Sequence, residues 1–518
     1  MNGGKHVVAG LLAAAALASV GGVAAAQSGP RASAAIVDAA AAAKPDIAPG
    51  PVKPTWDSIR ENYKVPQWFI DGKLGITMHW GLYSVAAYHN EWYEKYMYST
   101  FAQWHAANFG PQDKFGYKDF IPKFTASKFN ADELVALVKE SGAKYFMPTA
   151  EHHDGFSLWD SDVNPWNAAK MGPKRDLIGE MATAARKAGL KFGICNHAIE
   201  HYTFLPQNTN PSWDLNDPKY QDFYWTEHND ERLQKFLEQW VSKSFELIDK
   251  YQPDIIWYDN GVNSRAFDPL KMKIAAHYYN RALQWHKEVT IDTKSTAYLA
   301  GSVLDFEKLH PRGPSTNSIL KGVWEAEEPI GSTWGYSAAN PVESFRSPQQ
   351  IVSLFCEVLS LGGNLLLNLS PDGQGALSQP QVTGLKELGK WMAVNGQAVY
   401  GSHAWIQASD SGPGAGRNGK VTYRFTVKGN DLYAIAQAWP GETAVIPALA
   451  KGKAPEGTIT EVSLLGADGK LEFTQDVEGL KVTLPAQGEL KYAYVIKVSG
   501  LKMNPPGPAV PAVMADVQ

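Results

Sequence analysis

From about residue 56 to residue 400 the chain alternates short apolar runs with longer amphipathic stretches. The runs occupy 74–81, 144–155, 191–197, 253–260, 289–294, 302–307, 323–330 and 364–370. Between them, 130–141 and 177–189 read as helices, with Asn130 or Asp132 placed to cap the first and Gly189 to end the second. Eight strands alternating with helices predict an α/β fold, a closed (β/α)8 TIM-like barrel rather than an open doubly wound sheet. The Gly-rich phosphate fingerprint of a dinucleotide site is also missing after the first run. Past Gly401 the texture changes to short alternating runs, VTYRFTV, LYAIAQAW and KYAYVIKV, separated by Gly, Asn and Asp turns. That pattern predicts a C-terminal antiparallel β-sandwich.

The expected organisation is a barrel domain over 55–400, a sandwich over 401–502 and a loose tail over 503–518. At the other end, Lys5 and His6 precede an apolar run from Val7 to about Val20, and Ala24-Ala25-Ala26 follow before Gln27. Residues 1–26 therefore read as a signal peptide, and the protein is expected to be periplasmic or secreted, with no membrane attachment after cleavage. Residues 27–54 are rich in Ala, Pro and Ser without an apolar period and read as a linker.

Composition narrows the partners. At 518 residues with 44% hydrophobic side chains and a formal charge of −5, the chain suits a folded two-domain protein with no electrostatic preference for nucleic acid. Its 17 Trp serve an aromatic core or the flat C–H surfaces of sugars. The two cysteines, Cys195 and Cys356, fall in runs that read as buried, and their pairing is left open.

Barrels of this type place chemistry at the carboxyl ends of their strands. Here those ends carry His79-Trp80, then Glu151 to Asp154, Asn196-His197, Asp259 and Glu307, while the seventh run holds Glu325. Two carboxyls among imidazoles and indoles suit glycoside hydrolysis, one as nucleophile and the other as acid and then base. Zinc hydrolysis is the rival. It is disfavoured because His152 and His153, as consecutive strand residues, would point to opposite faces, so no metal and no cofactor are expected.

The segments KLGITMHWGLYSVAAY, EWY at 91–93, EHHDGFSLWDSDVNPWN, PDIIWYDNG, STWGYS and LGGNLLLNLSPDGQG together resemble the family 29 α-L-fucosidases, over roughly 56–400. The resemblance implies a retaining, exo-acting enzyme that removes terminal α-L-fucose from oligosaccharides or glycoconjugates. It makes Asp259 the nucleophile and places His79, Glu91, Trp92, His152 and His153 on the sugar hydroxyls, with Trp257 on the pocket floor and Trp334 in the matching STWGYS segment. The acid is Glu307 or Glu325, with Glu307 favoured because a loop follows it. One departure stands out: many relatives carry Tyr-Tyr-Ser where this chain has Cys195-Asn196-His197, so His197 and His201 either replace a sugar contact or line the region beyond the cleaved bond, and His201 reads equally as a surface loop residue. Two other readings remain, a silent carbohydrate-binding protein and a hydrolase of another galactose-like sugar.

Overall fold

The computed structural model describes residues 29–298, 300–309 and 318–512. Eight parallel strands close into a barrel in sequence order: β1 Leu74–Met78, β2 Tyr145–Glu151, β3 Lys191–Asn196, β4 Ile255–Tyr258, β5 Thr290–Thr293, β6 Ser302–Glu307, β7 Trp324–Pro329 and β8 Asn364–Leu369. Closure is direct, with Leu74 of β1 in register with Leu365 of β8. Every expected run supplies one strand.

The longer helices among the described residues are α1 Ala34–Ala42, α2 Ala131–Glu140, α3 Leu177–Ala188, α4 Asp230–Tyr251, α5 Asp268–Trp285, α6 Pro348–Ser360 and α7 Gln379–Asn395. Asn130 caps α2 by accepting the Glu133 N–H, and Gly189 ends α3 in the left-handed region at φ 76°. The barrel lumen is packed with Met147, Cys195, Ile255, Trp257, Val303 and Leu366. Tyr145 lies across it in space left by Gly75, where a Cβ would stand 2.0 Å from the Tyr145 ring. Both cysteines are buried free thiols.

Residues 403–501 form two antiparallel sheets. One has the order β13-β16-β11-β10-β9, from Gly457–Leu464, Tyr494–Leu501, Asp431–Ala436, Lys420–Lys428 and His403–Pro413. The other joins β12 Thr443–Ile446, β15 Leu480–Thr483 and β14 Phe473–Gln475. The Arg424–Glu357 ion pair at 2.9 Å and the bond from Trp391 Nε1 to the Ala493 carbonyl, also 2.9 Å, fasten these sheets to α6 and α7.

Two expectations change. The expected leader lies outside the described residues, but most of the expected linker is packed. Ile36, Val37 and Ala40 of α1 are buried against α4 and α5. Beyond α1, the Asn280 side chain bonds both carbonyls of Ala48 and Val52 and the Val52 N–H, all at 2.9–3.0 Å. The Ala-rich composition that resembles a tether is also the composition of highest helix propensity, and its small side chains let a helix lie close to its neighbours. The tail also returns, since Val323 donates to the Val510 carbonyl at 2.7 Å and accepts from the Ala512 N–H at 3.0 Å. Replacing Asn280 by Leu keeps the bulk and strands three backbone groups. Chemical denaturation of Asn280→Leu is expected to show a loss of about 2–3 kcal/mol, whereas a dangling linker would show none.

Candidate active site

A bulge sets up the rim. The β2–β3 register shifts between Thr149 and Glu151, and β2 ends at Glu151. Glu151 turns to Lys243 on α4 and to Ser157, 2.6 Å away, and is thereby consumed in structure. His152 and His153 lie past the strand, so strand alternation no longer governs them. Their rings sit 4.3 Å apart and both face the same cavity, contrary to the opposite-face expectation. Asp154 accepts from the Tyr117 hydroxyl at 2.7 Å, outside the cavity lining.

The cavity, of about 320 Å³, receives a group from the end of every strand but the last. β1 gives His79, β2 His152 and His153, β3 His197, β4 Asp259, β5 Lys294, β6 Glu307, and β7 Glu327 with Trp334 from the loop beyond it. β8 acts indirectly through Asn368. Its amide donates to the Trp334 carbonyl at 2.8 Å, which orients Oδ1 toward the His79 backbone N–H at 3.0 Å and the His79 Nδ1 at 2.7 Å. The Nδ1 therefore carries the proton, and Nε2 is left as an acceptor for a ligand hydroxyl.

Asp259 is 6% exposed. Its Oδ1 takes the Lys294 ammonium and the Asn260 N–H, each at 2.7 Å. Oδ2 has only looser neighbours, His153 Nε2 at 3.5 Å and His197 Nε2 at 3.8 Å. Burial alone would raise the Asp259 pKa, but Lys294 and the imidazole of His153 outweigh it and hold the carboxyl well below its usual range. Lys294 also touches Glu307 Oε2 at 3.1 Å. Burial would strip its proton, yet Asp259, Glu307 and Glu327 keep the ammonium charged. Burial pushes His79 and His153 down to about 4, and His152 and His197 well below their ordinary value, so all four rings are neutral near pH 7.

Glu307 reaches the mouth, its side chain 21% exposed, and Oε1 accepts from Trp334 Nε1 at 3.2 Å. Glu91 Oε2 accepts the Gly335 N–H at 2.9 Å, next to Trp334, and Trp92 stands half-buried beside it. Eight of the ten residues singled out from the sequence thus line one cavity. The exceptions are corrections. Trp257 lies beneath the floor, its ring 5.0 Å from that of His197 and 4.9 Å from the Lys294 Nζ, and its Nε1 donates to Asp305 at 3.3 Å. Glu325 faces the lumen below, where it accepts from the Tyr145 hydroxyl beside Asp292 and Asp305. Position 325 shares a face with 327, but only Glu327 lines the pocket, while Glu325 keeps company with Asp292 and Asp305.

Lys294 and Glu200 are among the lining residues that the motifs do not single out. Lys294 ends the fifth apolar run, so the strand-end rule finds it once applied to every run. Glu200 sits in a turn with no periodic signal. His201 is buried behind the pocket, against Gly155. Three trios among the described residues bring potential metal ligands within 4.8 Å of each other: His79-His152-His197, His153-Glu200-Asp259 and Asp292-Asp305-Glu325. Within these trios His79 Nδ1 is engaged by Asn368, Asp259 Oδ1 by the Lys294 ammonium and Glu325 by the Tyr145 hydroxyl.

Residues 39–397 match the model of the α-L-fucosidase family, and residues 417–499 match that of the α-L-fucosidase C-terminal domain. The chain belongs to the α-L-fucosidase family. It is 30% identical over 459 residues to the rat tissue α-L-fucosidase, covering 86% of this chain and 91% of that one. It is also 30% identical over 444 residues to the human plasma α-L-fucosidase, covering 83% and 88%. The crystal structure of the Thermotoga maritima α-fucosidase superposes with a TM-score of 0.70 at 29% identity, over 86% of this chain and 99% of that one. The enzyme is therefore a glycoside hydrolase.

Its lumen carboxyls give a direct check on Glu325. Burial pushes Glu325 up to about 8, so the folded protein holds a proton that the unfolded chain releases near pH 4.5. That contribution is full below about pH 4.5 and is lost as the pH rises through about 8. Glu325→Gln is expected to keep turnover within a few-fold and to flatten the decline in urea midpoint between those limits; a loss of activity comparable to that of Glu307→Gln would return Glu325 to the acid role.

Proposed function

We propose that the enzyme hydrolyses terminal α-L-fucosides by double displacement with retention of anomeric configuration. The observation that carries this reading is the Lys294 ammonium held between Asp259 and Glu307. Contact with both brings the two carboxyls within about 6 Å, at the spacing of retaining rather than inverting enzymes, roughly 5–5.5 Å.

The lone pairs of Asp259 Oδ1 are taken by Lys294 and Asn260, so Oδ2 is the oxygen free to attack the anomeric carbon. As that bond forms, the bond to the leaving oxygen breaks, and Glu307 gives its proton to the departing group. Glu307 then takes a proton from water, which attacks the fucosyl ester and releases Asp259. Glu307 suits this work because it stands at the mouth, in reach of the leaving group and of solvent, whereas Glu327 is 1% exposed and lies deeper. The cavity volume admits one sugar ring, in keeping with removal of a terminal residue. Neutral imidazoles offer donors and acceptors to its hydroxyls, and Trp92 and Trp334 offer apolar surface. With residues 1–26 read as an export signal, the substrates are fucosylated glycans outside the cytoplasm.

Asp259→Gly is expected to lower turnover of nitrophenyl α-L-fucoside by about 10³-fold or more, with azide restoring activity and giving a product of opposite anomeric configuration by NMR. Glu307→Ala is expected to lose natural glycans while sparing substrates with good leaving groups. An Asp259→Gly enzyme that turns over normally would remove the nucleophile assignment.

A further inference from the structure

The turn after β3, where this chain departs from the Tyr-Tyr-Ser pattern, carries Glu200. Its side chain is buried, 2% exposed, and Oε1 has no hydrogen-bond partner. Oε2 lies 3.4 Å from His153 Nδ1. The Gly261 N–H, in the turn that follows Asp259, lies near the carboxyl and works to lower its pKa. That approach requires glycine, because a Cβ on residue 261 would stand 2.4 Å from the Glu200 Cγ.

His153 thus stands between acceptors. Its Nε2 faces Asp259 Oδ2 at 3.5 Å, and its Nδ1 faces both Glu200 and the His197 carbonyl, the latter at 3.3 Å. A neutral imidazole has one N–H. If that proton is on Nδ1, a lone pair on Nε2 confronts an ionised carboxylate. If it is on Nε2, the ring donates to Asp259, and Nδ1 needs a donor. The His197 carbonyl could accept an Nδ1–H, but that tautomer sets the Nε2 lone pair against the full charge of Asp259, which costs more than facing a neutral carbonyl. With the proton on Nε2, the group that can donate to Nδ1 is the Glu200 carboxyl. We infer that Glu200 is a positioning residue, whose O–H donates to His153 Nδ1 and holds His153 in the tautomer that points Nε2–H at Asp259 Oδ2.

The charge environment agrees. Burial and the negative charge of Asp259 drive the Glu200 pKa well up, and the cations Lys294 and Lys95 only partly oppose them. On α4, packed against this turn, Lys243 is engaged by Glu151. The Glu200 hydrogen bond therefore fixes, through one ring, the direction of the oxygen that attacks. This consequence rests on the nucleophile reading of Asp259, but the tautomer does not.

The test is a long-range 1H–15N spectrum of the full chain labelled at histidine, with His153 assigned by its loss in His153→Gln. The inference expects an unprotonated Nδ1 and a protonated Nε2 at pH 7; a proton on Nδ1 overturns it. In kinetics, Glu200→Gln retains a donor and is expected to keep kcat within about threefold, while Glu200→Leu is expected to lower kcat about tenfold with KM little changed. A folded Glu200→Leu enzyme with the kcat of the parent overturns the inference. If that variant does not fold, the spectrum of the parent still decides. Failure of azide rescue in Asp259→Gly would remove the nucleophile while leaving the tautomer result as it stands.

Discussion

The Lys294 ammonium is a cation withdrawn from water, and it persists because Asp259 and Glu307 stand on either side of it at 2.7 and 3.1 Å. Burying a lone charge costs far more than a hydrogen bond returns, so the three groups form one unit in which none can be removed without stranding another. The electrostatics of the pocket follow from this unit. Asp259 stays ionised despite its burial, and the four imidazoles around it stay neutral because nothing compensates a further buried positive charge. A ligand therefore meets Oδ2 of the ionised Asp259, with the Lys294 ammonium and Glu307 beside it and neutral imidazoles completing the lining. That arrangement suits an uncharged sugar whose anomeric carbon becomes positive as its bond breaks.

The position of the unit is fixed from below. Trp257 lies under both His197 and Lys294, and its Nε1 is anchored to Asp305 in the lumen. Beside Asp305, Glu325 is held by the Tyr145 hydroxyl. These lumen carboxyls have raised pKa values through burial and act as neutral hydrogen-bonding groups. A layer of polar groups is thus sandwiched between the apolar bottom of the barrel and the reactive top. The bonds from Trp257 to Asp305 and from Tyr145 to Glu325 hold this layer in place beneath His197 and Lys294, and a site working to fractions of an ångström needs such a fixed floor. Tyr145 occupies its place because Gly75 vacates it, so the glycine in LGITM is tied to the site by a short line of contacts.

Most of the architecture was legible because it rests on periodicity, which survives in a single sequence. All eight strands came from apolar runs, and strand ends marked Asp259, Glu307 and His79. The failures have separate physical causes. Simple alternation sent His152 and His153 to opposite faces, but a bulge at the end of β2 resets the count, and bulges leave no periodic trace. Alternation correctly put Glu325 and Glu327 on one face, yet could not say that only Glu327 reaches the pocket, because depth along a barrel axis is not encoded in parity. The segment 29–54 read as a tether because alanine serves linkers and helices alike. Glu200 was invisible, since its role depends on a fold-back of the turn after β3 onto the turn after β4.

That last case shows where a family pattern stops being informative. HHDG and WYDN are legible because each stands at the end of an apolar strand and brings its own local geometry. The segment Cys195-Asn196-His197 breaks the pattern, and the replacement is not one residue for another. His197 enters the pocket, its carbonyl meets His153, and Glu200, three residues on, packs against Gly261 beside the nucleophile. A substitution at a strand end is therefore absorbed by the following turn, which must place new polar groups without leaving a buried charge unpaired. Where a carboxyl is the only group able to satisfy a neighbouring ring nitrogen, burial itself supplies the proton that makes it a donor.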